Sequence, residues 1–539
     1  MMREPRVTVG HSIAEVEAAL RARLRETPED VAAIHDLGLL AFRDGRVKEA
    51  VHLLRQASAL QPGNHVLLRS LGQVLRESGD AAGGAAVFEK ALEITPSDAA
   101  VWNALGVTLQ ECHQPARAME AYLRAMALDP AMAEAANNAG ILLLAEKDLD
   151  GAEGMFELAV GVDPGFADAY SNLGVLWRER LRYRDAIAAF RQAWALRPKS
   201  SGIAGALGEA LSLVYDAEAE DVLRQAVALE PENAERHFNY SLDLLKHGKY
   251  AEGFAEYEWR WKRGAGHNTP RAYEQPFWRG EDVGGKRVLV YHEQGFGDTL
   301  QMLRYVPMLM ERGARVVLEV QPELKRLVAE RFGEETVVVG TGEALPEFDW
   351  HVGAMSLPVA FGTTLKTVPA PVALRAMKQR GRVKRVGLAW AGNAHHARDR
   401  ERSLELGWLR PLFEVEGVEW VSLQVGAPVR QMADVDTVFE VPLLREFAMT
   451  ADVLETLDLV IAVDSAVAHL AGTQGVPTWL LLPYVADWRW GEPDTVGSTW
   501  YPGMKVFRQM EFPVGNDQRE RWRPVVEAVA RELRGAVGR

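Results

Sequence analysis

Cysteine is nearly absent from this 539-residue sequence. Cys112 is the only one, so the chain cannot form an internal disulfide. Apolar runs are short, none approaching the ~20 residues that span a bilayer, and the first residues lack the apolar stretch of a secretory signal. Basic residues are outnumbered by acidic ones: 61 Lys and Arg residues and 75 Asp and Glu residues give a net charge of −14. Nucleic acids and anionic membranes attract basic surfaces, so we expect neither as a partner and expect a soluble cytoplasmic protein.

Seven prolines divide the first half of the chain at an almost constant interval. They are 34 residues apart, with a last step of 33: Pro28, Pro62, Pro96, Pro130, Pro164, Pro198 and Pro231. This period in helix-rich sequence is typical of stacked helix–turn–helix units, none of which can bury its apolar face alone. The sequence therefore predicts a repeat array in place of one compact domain.

Small and large side chains recur at the same interval. The predicted first helices share a glycine, at Gly38, Gly72, Gly106, Gly140, Gly174 and Gly208. The second helices share an alanine, at Ala57, Ala91, Ala125, Ala159, Ala193 and Ala226, and a large apolar residue about one turn earlier, at Leu54, Phe88, Tyr122, Phe156, Phe190 and Leu223. We expect the glycines to mark the places where the two helices of a unit approach closely.

This pattern resembles the tetratricopeptide repeat family over roughly residues 11–262. The resemblance lies in the small residue of the first helix, the large apolar residue of the second and the closing proline. It implies a right-handed α solenoid of the kind that holds other proteins, and it leaves the chemistry open.

An asparagine-rich row runs along the predicted first helices. Two places before the glycine position stand Asp36, Asn138, Asn172 and Asn239, and Asn103 is one place earlier in its unit. An Asn side chain offers a donor and an acceptor to one peptide unit. The row resembles the asparagine ladder of O-GlcNAc transferases, which implies acceptor binding by Asn138, Asn172 and Asn239. Ser70, Ala104 and Ala206 interrupt it, so a merely solvated groove is the alternative.

The pattern changes in kind from about Trp278. Short β-rich runs alternate there with helical stretches: Arg287–Tyr291, Arg315–Val320, Thr336–Val339, Val383–Trp390, Val418–Gln424, Leu457–Val463 and Pro477–Leu482. Strands that alternate with helices indicate parallel βαβ units. We therefore expect two open α/β halves with a crevice between them.

The first of three segments suited to chemistry follows the strand Arg287–Tyr291. Gly295 and Gly297 stand at the strand-to-helix turn, where glycine lets a ligand come close to the backbone. Leu300 occupies the third glycine position, so this is not a dinucleotide fingerprint. Asp298 lies in the first turn of the helix, where an ordinary N-cap is the alternative to a catalytic carboxylate.

The second segment follows the strand Leu457–Val463. Asp464 and Ser465 open a helix there, and the free N–H groups of a helix start favour an anion such as a diphosphate. His469, five residues after Asp464, is placed to support the same site, with a buried core histidine as the alternative.

The third segment is the loop after the strand Val383–Trp390, which in an open α/β sheet faces the ligand crevice. It is rich in basic side chains, with a solvated charged loop as the alternative: His395, His396, Arg398, Arg400 and Arg402. Gln424 ends the next strand and is expected to touch the nucleotide, while Trp488 and Trp490 are expected to stack on base or sugar. Asp434 and Asp436 form an Asp-x-Asp pair that we interpret as a turn with exposed carboxylates.

Together these segments resemble the two halves of a GT-B glycosyltransferase over about residues 285–515. In heptosyltransferases a Gly-Asp pair supplies the catalytic base, which implies that role for Asp298 beside Gly297. Their diphosphate-binding stretch matches Asp464, Ser465 and His469, although Ala466 replaces its glycine. Arg400, Arg402, Gln424 and Gly295 complete the donor side that the resemblance implies. With one cysteine and scattered histidines, we expect neither a metal nor another cofactor.

The resemblance also implies boundaries and a function. The repeat array is expected over 11–262, a linker over 263–285, the acceptor-side half over 286–376, the nucleotide-sugar half over 377–515, and a helix over 516–539 that crosses back over the first half. Bacterial tetratricopeptide glycosyltransferases, including those of flagellin, transfer a sugar from a nucleotide sugar to Ser or Thr of a protein held by the repeats. A non-catalytic scaffold and a nucleotide sensor are the alternatives.

Overall fold

The structure, a computed structural model, describes residues 12–264, 271–375, 383–396, 398–495, 497–512 and 517–538. The chain divides into two compact units. One covers the chain up to Pro198 apart from Leu181–Tyr183, and the other covers Lys199–Arg539 together with Leu181–Tyr183. The second unit thus combines the last repeats with the α/β elements, whereas the sequence predicts a linker at 263–285 as the break.

Helices fill the part of the chain for which repeats are predicted. In order they are α1 (Ile13–Glu26), α2 (Val31–Arg43), α3 (Val47–Leu60), α4 (His65–Glu77), α5 (Ala81–Ile94), α6 (Ala99–Glu111), α7 (Pro115–Leu128), α8 (Ala133–Ala145), α9 (Leu149–Val162), α10 (Ala167–Glu179), α11 (Tyr183–Leu196), α12 (Ser201–Leu213), α13 (Ala219–Leu229), α14 (Ala234–Lys246) and α15 (Tyr250–Tyr257). A 3₁₀ turn, Glu258–Lys262, follows α15. Each of the seven periodic prolines lies two residues after a helix end, where it stops the helix from continuing.

The repeated glycines are confirmed as points of close helix approach. A Cβ built on Gly140 would lie 2.6 Å from Cε1 of Phe156, and one on Gly106 would lie 2.5 Å from Cε1 of Tyr122. The repeated alanines are fully or almost fully buried. Only glycine, which has no Cβ, leaves room for the large side chain of the second helix. This explains why the glycine and the large apolar residue recur at the same interval.

The turns inside the helix pairs share a left-handed backbone. Positive φ recurs two residues after the end of the first helix of each pair, at Gly45, Gly79, His113, Lys147, Leu181, Tyr215 and Gly248. Four of these seven are not glycine, although a side chain at positive φ costs about 1–2 kcal/mol. The packing of the helix pairs therefore imposes the turn even where the residue type opposes it.

Two parallel sheets form the remainder of the second unit. The strands are β1 (Arg287–Tyr291), β2 (Arg315–Val320), β3 (Val337–Gly340), β4 (Trp350–Gly353), β5 (Arg385–Ala389), β6 (Glu419–Ser422), β7 (Phe439–Glu440), β8 (Leu459–Val463), β9 (Thr478–Leu482) and β10 (Met504–Arg508). The first sheet has the order β3-β2-β1-β4 and the second the order β10-β9-β8-β5-β6-β7. The strand order reverses between β1 and β4 and between β5 and β8, which is where open α/β sheets bind ligands.

The helices of this region follow the strands. They are α16 (Phe296–Met302), α17 (Val306–Glu311), α18 (Pro322–Phe332), α19 (Leu357–Ala360), α20 (Asp399–Arg402), α21 (Arg410–Phe413), α22 (Phe447–Leu454), α23 (Ala466–Gln474) and α24 (Gln518–Gly538). The terminal helix α24 packs against α21 and β10 of the second half through side chains such as Trp522 and Leu533. The prediction that it crosses back over the first half is wrong, because its apolar face covers the second sheet.

The last repeat packs directly against the α/β elements. Tyr250 and Phe254 of α15 contact the rings of Trp488 and Trp500, and all four belong to one apolar core that also includes strands of both sheets. The expected linker takes part as well, because Trp278 is fully buried and Phe277 pairs with His351 of β4 as a β-bridge. The described part of 263–285 is therefore a packed segment rather than a free tether.

Candidate functional site

The turns that follow the central strands of the two sheets meet face to face. α16 begins after β1, α23 begins after β8, and these two helices pack against each other. A Cβ on Gly297 would come within 2.6 Å of Cδ2 of His469. Because both helices start at the carboxyl ends of parallel strands, the two predicted segments form one cluster.

Asp298 is the third residue of α16, and both of its carboxylate oxygens have partners. Oδ2 accepts the backbone N–H of Gly295 at 2.9 Å, and Oδ1 is ion-paired with the guanidinium of Arg489. The N-cap is Gly295 itself, so the N-cap alternative is wrong in its position. Asp298 nevertheless caps the helix start, because its side chain satisfies the N-cap amide.

Arg489 is the central charged group of the cluster, and the sequence analysis missed it. It lies after β9, where Nη1 donates to Asp487 Oδ1 at 2.7 Å and Nε donates to Gln301 Oε1 at 2.7 Å. Burial alone would lower the pKa of Arg489, but the carboxylates of Asp487 and Asp298 raise it, so the guanidinium is charged. Its position between two tryptophans after a buried strand was the available signal.

His469 lies inside the contact between α16 and α23. Nδ1 shares a hydrogen bond of 2.9 Å with the hydroxyl of Tyr501, and Nε2 is 3.9 Å from Oδ1 of Asp464. Burial, reinforced by the charge of Arg489, lowers the pKa of His469 to about 3, so its ring is neutral. Burial and the nearby Asp487 carboxylate raise the pKa of Asp464 to about 6.

Ser465 is the N-cap of α23, but its hydroxyl bonds backward. Its Oγ donates to the carbonyl of Val463 at 3.0 Å and makes no capping bond to the helix. Asp464 and Ser465 stand at the carboxyl end of β8, beside the point where the strand order reverses. The helix start thus faces the crevice that the topology predicts.

In the basic loop after β5, some side chains form ion pairs within the protein and others are exposed to solvent. Arg398 makes two bonds of 2.8 Å to Glu401 and a third, of 2.9 Å, to the carbonyl of Val485. Arg402 lies along Gly392, where a Cβ would come within 2.7 Å of its guanidinium, and its Nε is 3.3 Å from Asp399.

Other side chains of this loop are more open to solvent. Arg400 is exposed, and so are His395 and His396. Arg402, in contrast, is partly buried and lies near the point where the strand order of the second sheet reverses. Its positive charge acts to lower the pKa of Asp464.

Two tryptophans depart from their predicted role, and Gln424 has backbone partners of its own. Trp488 is 4% exposed and Trp490 is 1% exposed, so the prediction that they stack on a nucleotide or sugar is wrong. Both belong to the apolar core, where Trp488 packs against the last repeat and Trp490 packs against His469 and Tyr501. The amide of Gln424 bonds to the backbone of Trp390 and Ala391 and joins the ends of β5 and β6. Its contact with a nucleotide stays a prediction.

In the first unit, the asparagine row forms bridges between successive repeats. Asn138 on α8 donates to Asn103 on α6 at 3.0 Å, and Asn172 on α10 donates to Asn137 on α8 at 2.8 Å. An Asn amide has two donor hydrogens, so each bridge leaves Asn138 and Asn172 one donor for a peptide. Asn239, on α14 of the second unit, is partly exposed.

No group of three His, Cys, Asp or Glu side chains within the described residues is arranged to hold a metal ion. Asp434 and Asp436 are both exposed, at the end of a 3₁₀ segment. None of the helices in the described ranges combines the length and the apolar character needed to cross a bilayer.

Comparison with known proteins bears on the helical part. Models of the tetratricopeptide repeat family match residues 12–65 and 35–99, residues 87–120, and residues 166–202. The chain therefore contains tetratricopeptide repeats, which generally bind protein partners, and it has the architecture of a protein-interaction scaffold. Parallel sheets follow the repeats as an α/β region.

Relatives cover parts of the chain. Protein FlbA of Caulobacter vibrioides is 25% identical over 54% of this chain and 53% of FlbA, so the chain spans about half the length of this curated relative. Among solved structures, the Cut9–Hcn1 hetero-tetramer of the APC/C is 16% identical with a TM-score of 0.37, covering 43% of this chain and 46% of that chain. PilF of Pseudomonas aeruginosa is 19% identical with a TM-score of 0.34, covering 42% and 96%.

Proposed function

We propose that this chain transfers a sugar from a nucleotide sugar to a Ser or Thr hydroxyl of a protein held by its repeats, flagellin being one such acceptor. The observation that carries the proposal is the cluster in which Asp298, Arg489 and His469 meet at the carboxyl ends of two parallel sheets. Two such sheets with a carboxylate at their junction match the GT-B resemblance of the sequence. Arg489 and Arg402 supply the positive charge that a diphosphate requires.

In this reaction Asp298 takes the proton of the acceptor hydroxyl while the hydroxyl oxygen attacks the anomeric carbon. The bond between that carbon and the phosphate oxygen breaks, and the nucleotide leaves with its electron pair. Arg489 covers one oxygen of this carboxylate and the Gly295 N–H the other, so Arg489 has to move away before the acceptor hydroxyl reaches Asp298. The diphosphate of a donor at the start of α23 offers Arg489 a second anionic partner. Donor binding would thereby free the base, and a positioned base contributes about 10²–10⁴-fold in rate.

A non-catalytic scaffold is the second candidate, and the same ion pair favours it. If Arg489 never leaves Asp298, the carboxylate only caps α16 and joins the two α/β halves. Ala466 in place of the family's glycine points the same way. The repeats would then bind protein, and the α/β region would at most report a bound nucleotide.

One experiment separates the two candidates. UDP-, GDP-, ADP- and CMP-sugars are first screened by thermal shift, where a ligand at 100 times its dissociation constant adds about 2.7 kcal/mol. Transfer to protein is then compared between wild type, Asp298→Asn and Asp487→Asn. Both variants remove one carboxylate from Arg489, but only the first removes the proposed base.

We expect Asp298→Asn to bind the donor at least as tightly as wild type, because Arg489 no longer has to leave a carboxylate, and to lose transfer by about 10²–10⁴-fold. Asp487→Asn should retain most of the activity. Equal loss in both variants would assign Asp298 to the ion pair alone, and no thermal shift with any nucleotide sugar would favour the scaffold.

A further inference from the structure

The loop between β1 and α16 is held by a buried arginine of the last repeat. Arg260, in the 3₁₀ turn after α15, is 1% exposed, and the Glu293 side chain is 2% exposed. Arg260 Nε donates to Glu293 Oε2 at 2.8 Å and Nη2 donates to Glu293 Oε1 at 3.0 Å. This two-bond geometry fixes both the position and the orientation of the Glu293 carboxylate.

Further groups close the network around this pair. Arg260 Nη2 also donates to the Ser356 hydroxyl at 2.7 Å, and Nη1 donates to Glu258 at 2.6 Å. Glu293 Oε1 accepts the backbone N–H of Met355 at 2.8 Å. Ser356 and Met355 follow β4, so the network occupies the point where the strand order of the first sheet reverses. A ligand of that crevice would therefore bind beside a loop that this buried ion pair already holds.

The next residue of the loop is held by the same repeat. Gln294 Nε2 donates to the hydroxyl of Tyr257, the last residue of α15, at 2.6 Å. On the other side, Gln321 Nε2 donates to the Gln294 carbonyl at 3.0 Å, and Gln321 Oε1 accepts the hydroxyl of Thr299 at 2.9 Å. Glu293 and Gln294 immediately precede Gly295, whose N–H binds Asp298. A continuous series of hydrogen bonds and neighbouring peptide units thus runs from the last repeat to the proposed base.

Buried polar groups are costly unless they are paired, so a network of this size has to be explained by what it positions. Apolar packing of α15 on Trp488 and Trp500 already joins the repeat to the α/β region. The hydrogen bonds also fix how the joined groups are oriented, because a hydrogen bond has a preferred geometry and an apolar contact does not.

We propose that Tyr257 and Arg260 are positioning residues, through which the last repeat holds the turn 292–298 and thereby sets the place of Asp298. The consequence for transfer rests on the proposed function, whereas the ordering of the turn does not. The last helix pair of the repeats is on this view a structural part of the candidate active site.

The test uses the full chain and the variants Tyr257→Phe and Arg260→Lys. The first removes one hydroxyl from a buried ring, and the second keeps the charge but cannot reproduce the two-bond geometry. Tyr122→Phe is the matched control, because Tyr122, in the first unit, is also a buried tyrosine whose hydroxyl is hydrogen-bonded to a glutamine. Amide hydrogen exchange is followed over residues 288–300.

We expect both variants to raise exchange at the amides of Gly295 and Thr299 by about tenfold, while the amides of β1 and β2 keep their protection. The control should leave all of them unchanged. In transfer assays with the donor selected by thermal shift, kcat should fall by about tenfold, while KM for the donor stays within twofold. If Arg260→Lys does not fold, Tyr257→Phe decides alone.

Unchanged exchange at Gly295 and Thr299 in a folded Tyr257→Phe protein would overturn the proposal. Increased exchange with kcat unchanged would remove the positioning role and leave only a structural one. If Asp298→Asn transfers sugar as well as wild type, the proposed function fails, and the exchange result still stands for the turn.

Discussion

Gly297 lies against the imidazole of His469, with no space between them for even a methyl group. The two residues are 172 positions apart and lie in the first turns of the helices that follow the central strands of the two sheets. The glycine therefore serves helix packing between the two α/β halves, in addition to any approach of a ligand to the backbone. A side chain at this position would push α16 away from α23 and separate Asp298 from Arg489.

Gly140→Ala should destabilise the repeats. Its new Cβ would lie 2.6 Å from Phe156, and overpacking of this kind costs about 1–3 kcal/mol, against a gain of up to about 1 kcal/mol in helix propensity. Gly154→Ala is the control, because Gly154 lies in α9 with no atom within 4 Å of the added methyl. Chemical denaturation followed by circular dichroism should show a lower free energy of unfolding for the first variant and a higher one for the second. The same sign in both would contradict the packing role.

The asparagine bridges should be measurable as coupling between neighbouring repeats. Asn138 donates to Asn103 at 3.0 Å in a partly buried place, so we expect a coupling energy of about 0.5–1.5 kcal/mol in a double-mutant cycle of the two alanine variants. A coupling energy of zero within error would show that the two amides prefer solvent. In that case both residues would be fully available to a bound peptide.

Arg402→Ala should weaken binding of the nucleotide sugar by about tenfold, because a charge-assisted contact to a diphosphate is lost. Arg400→Ala is the control, since Arg400 belongs to the same helical turn but is exposed. Calorimetry with the donor chosen by thermal shift measures both affinities. An equal effect of the two substitutions would mean that the loop acts only through its overall charge.

Asp464 should make stability depend on pH in an unusual direction. Its pKa is raised from 3.8 to about 6, so the folded state binds the proton more tightly than the unfolded state. Its contribution is therefore fully present below about pH 4 and is lost as the pH rises through 6. Asp464→Asn should gain about 1–3 kcal/mol relative to wild type between pH 4 and 6.5 and then stay level.

His469 provides the opposite slope as an internal check. Its lowered pKa of about 3 means that its contribution is present above pH 6.5 and is lost as the pH falls toward 3. Relative to wild type, His469→Gln should gain stability on acidification, whereas Asp464→Asn should lose it. Denaturation curves at several pH values measure both differences, and parallel slopes would refute the assignment of the two shifts.

Periodic features of the fold were predictable, and long-range pairings were not. Gly140 and Phe156 could be placed opposite each other because both recur every 34 residues, and β1 and β2 have the predicted bounds. β4, β7 and β10 were missed, since β7 has two residues and β10 mixes charged with apolar side chains at the sheet edge. Apolar runs identify buried central strands more readily than short or partly exposed ones.

The candidate site was likewise predictable in its local patterns and unpredictable in its long-range pairings. Asp298 and His469 were placed from local patterns after strands, and the structure brings their helices together. Arg489 is 191 residues from Asp298, and no local pattern links the two. Arg260 and Glu293 likewise come from a repeat and a sheet loop, so only the folded chain reveals their pairing.

The left-handed turns of the repeats set where thermal opening should begin. Gly45 and Gly79 adopt this backbone without strain, whereas His113, Lys147 and Leu181 hold a side chain at positive φ. Each such turn stores energy that local opening releases, so the middle helix pairs should open to solvent and to proteases before the first pairs do. The array should thus be graded in local stability along its length, and a partner that orders its middle would lose affinity to the cost of that ordering.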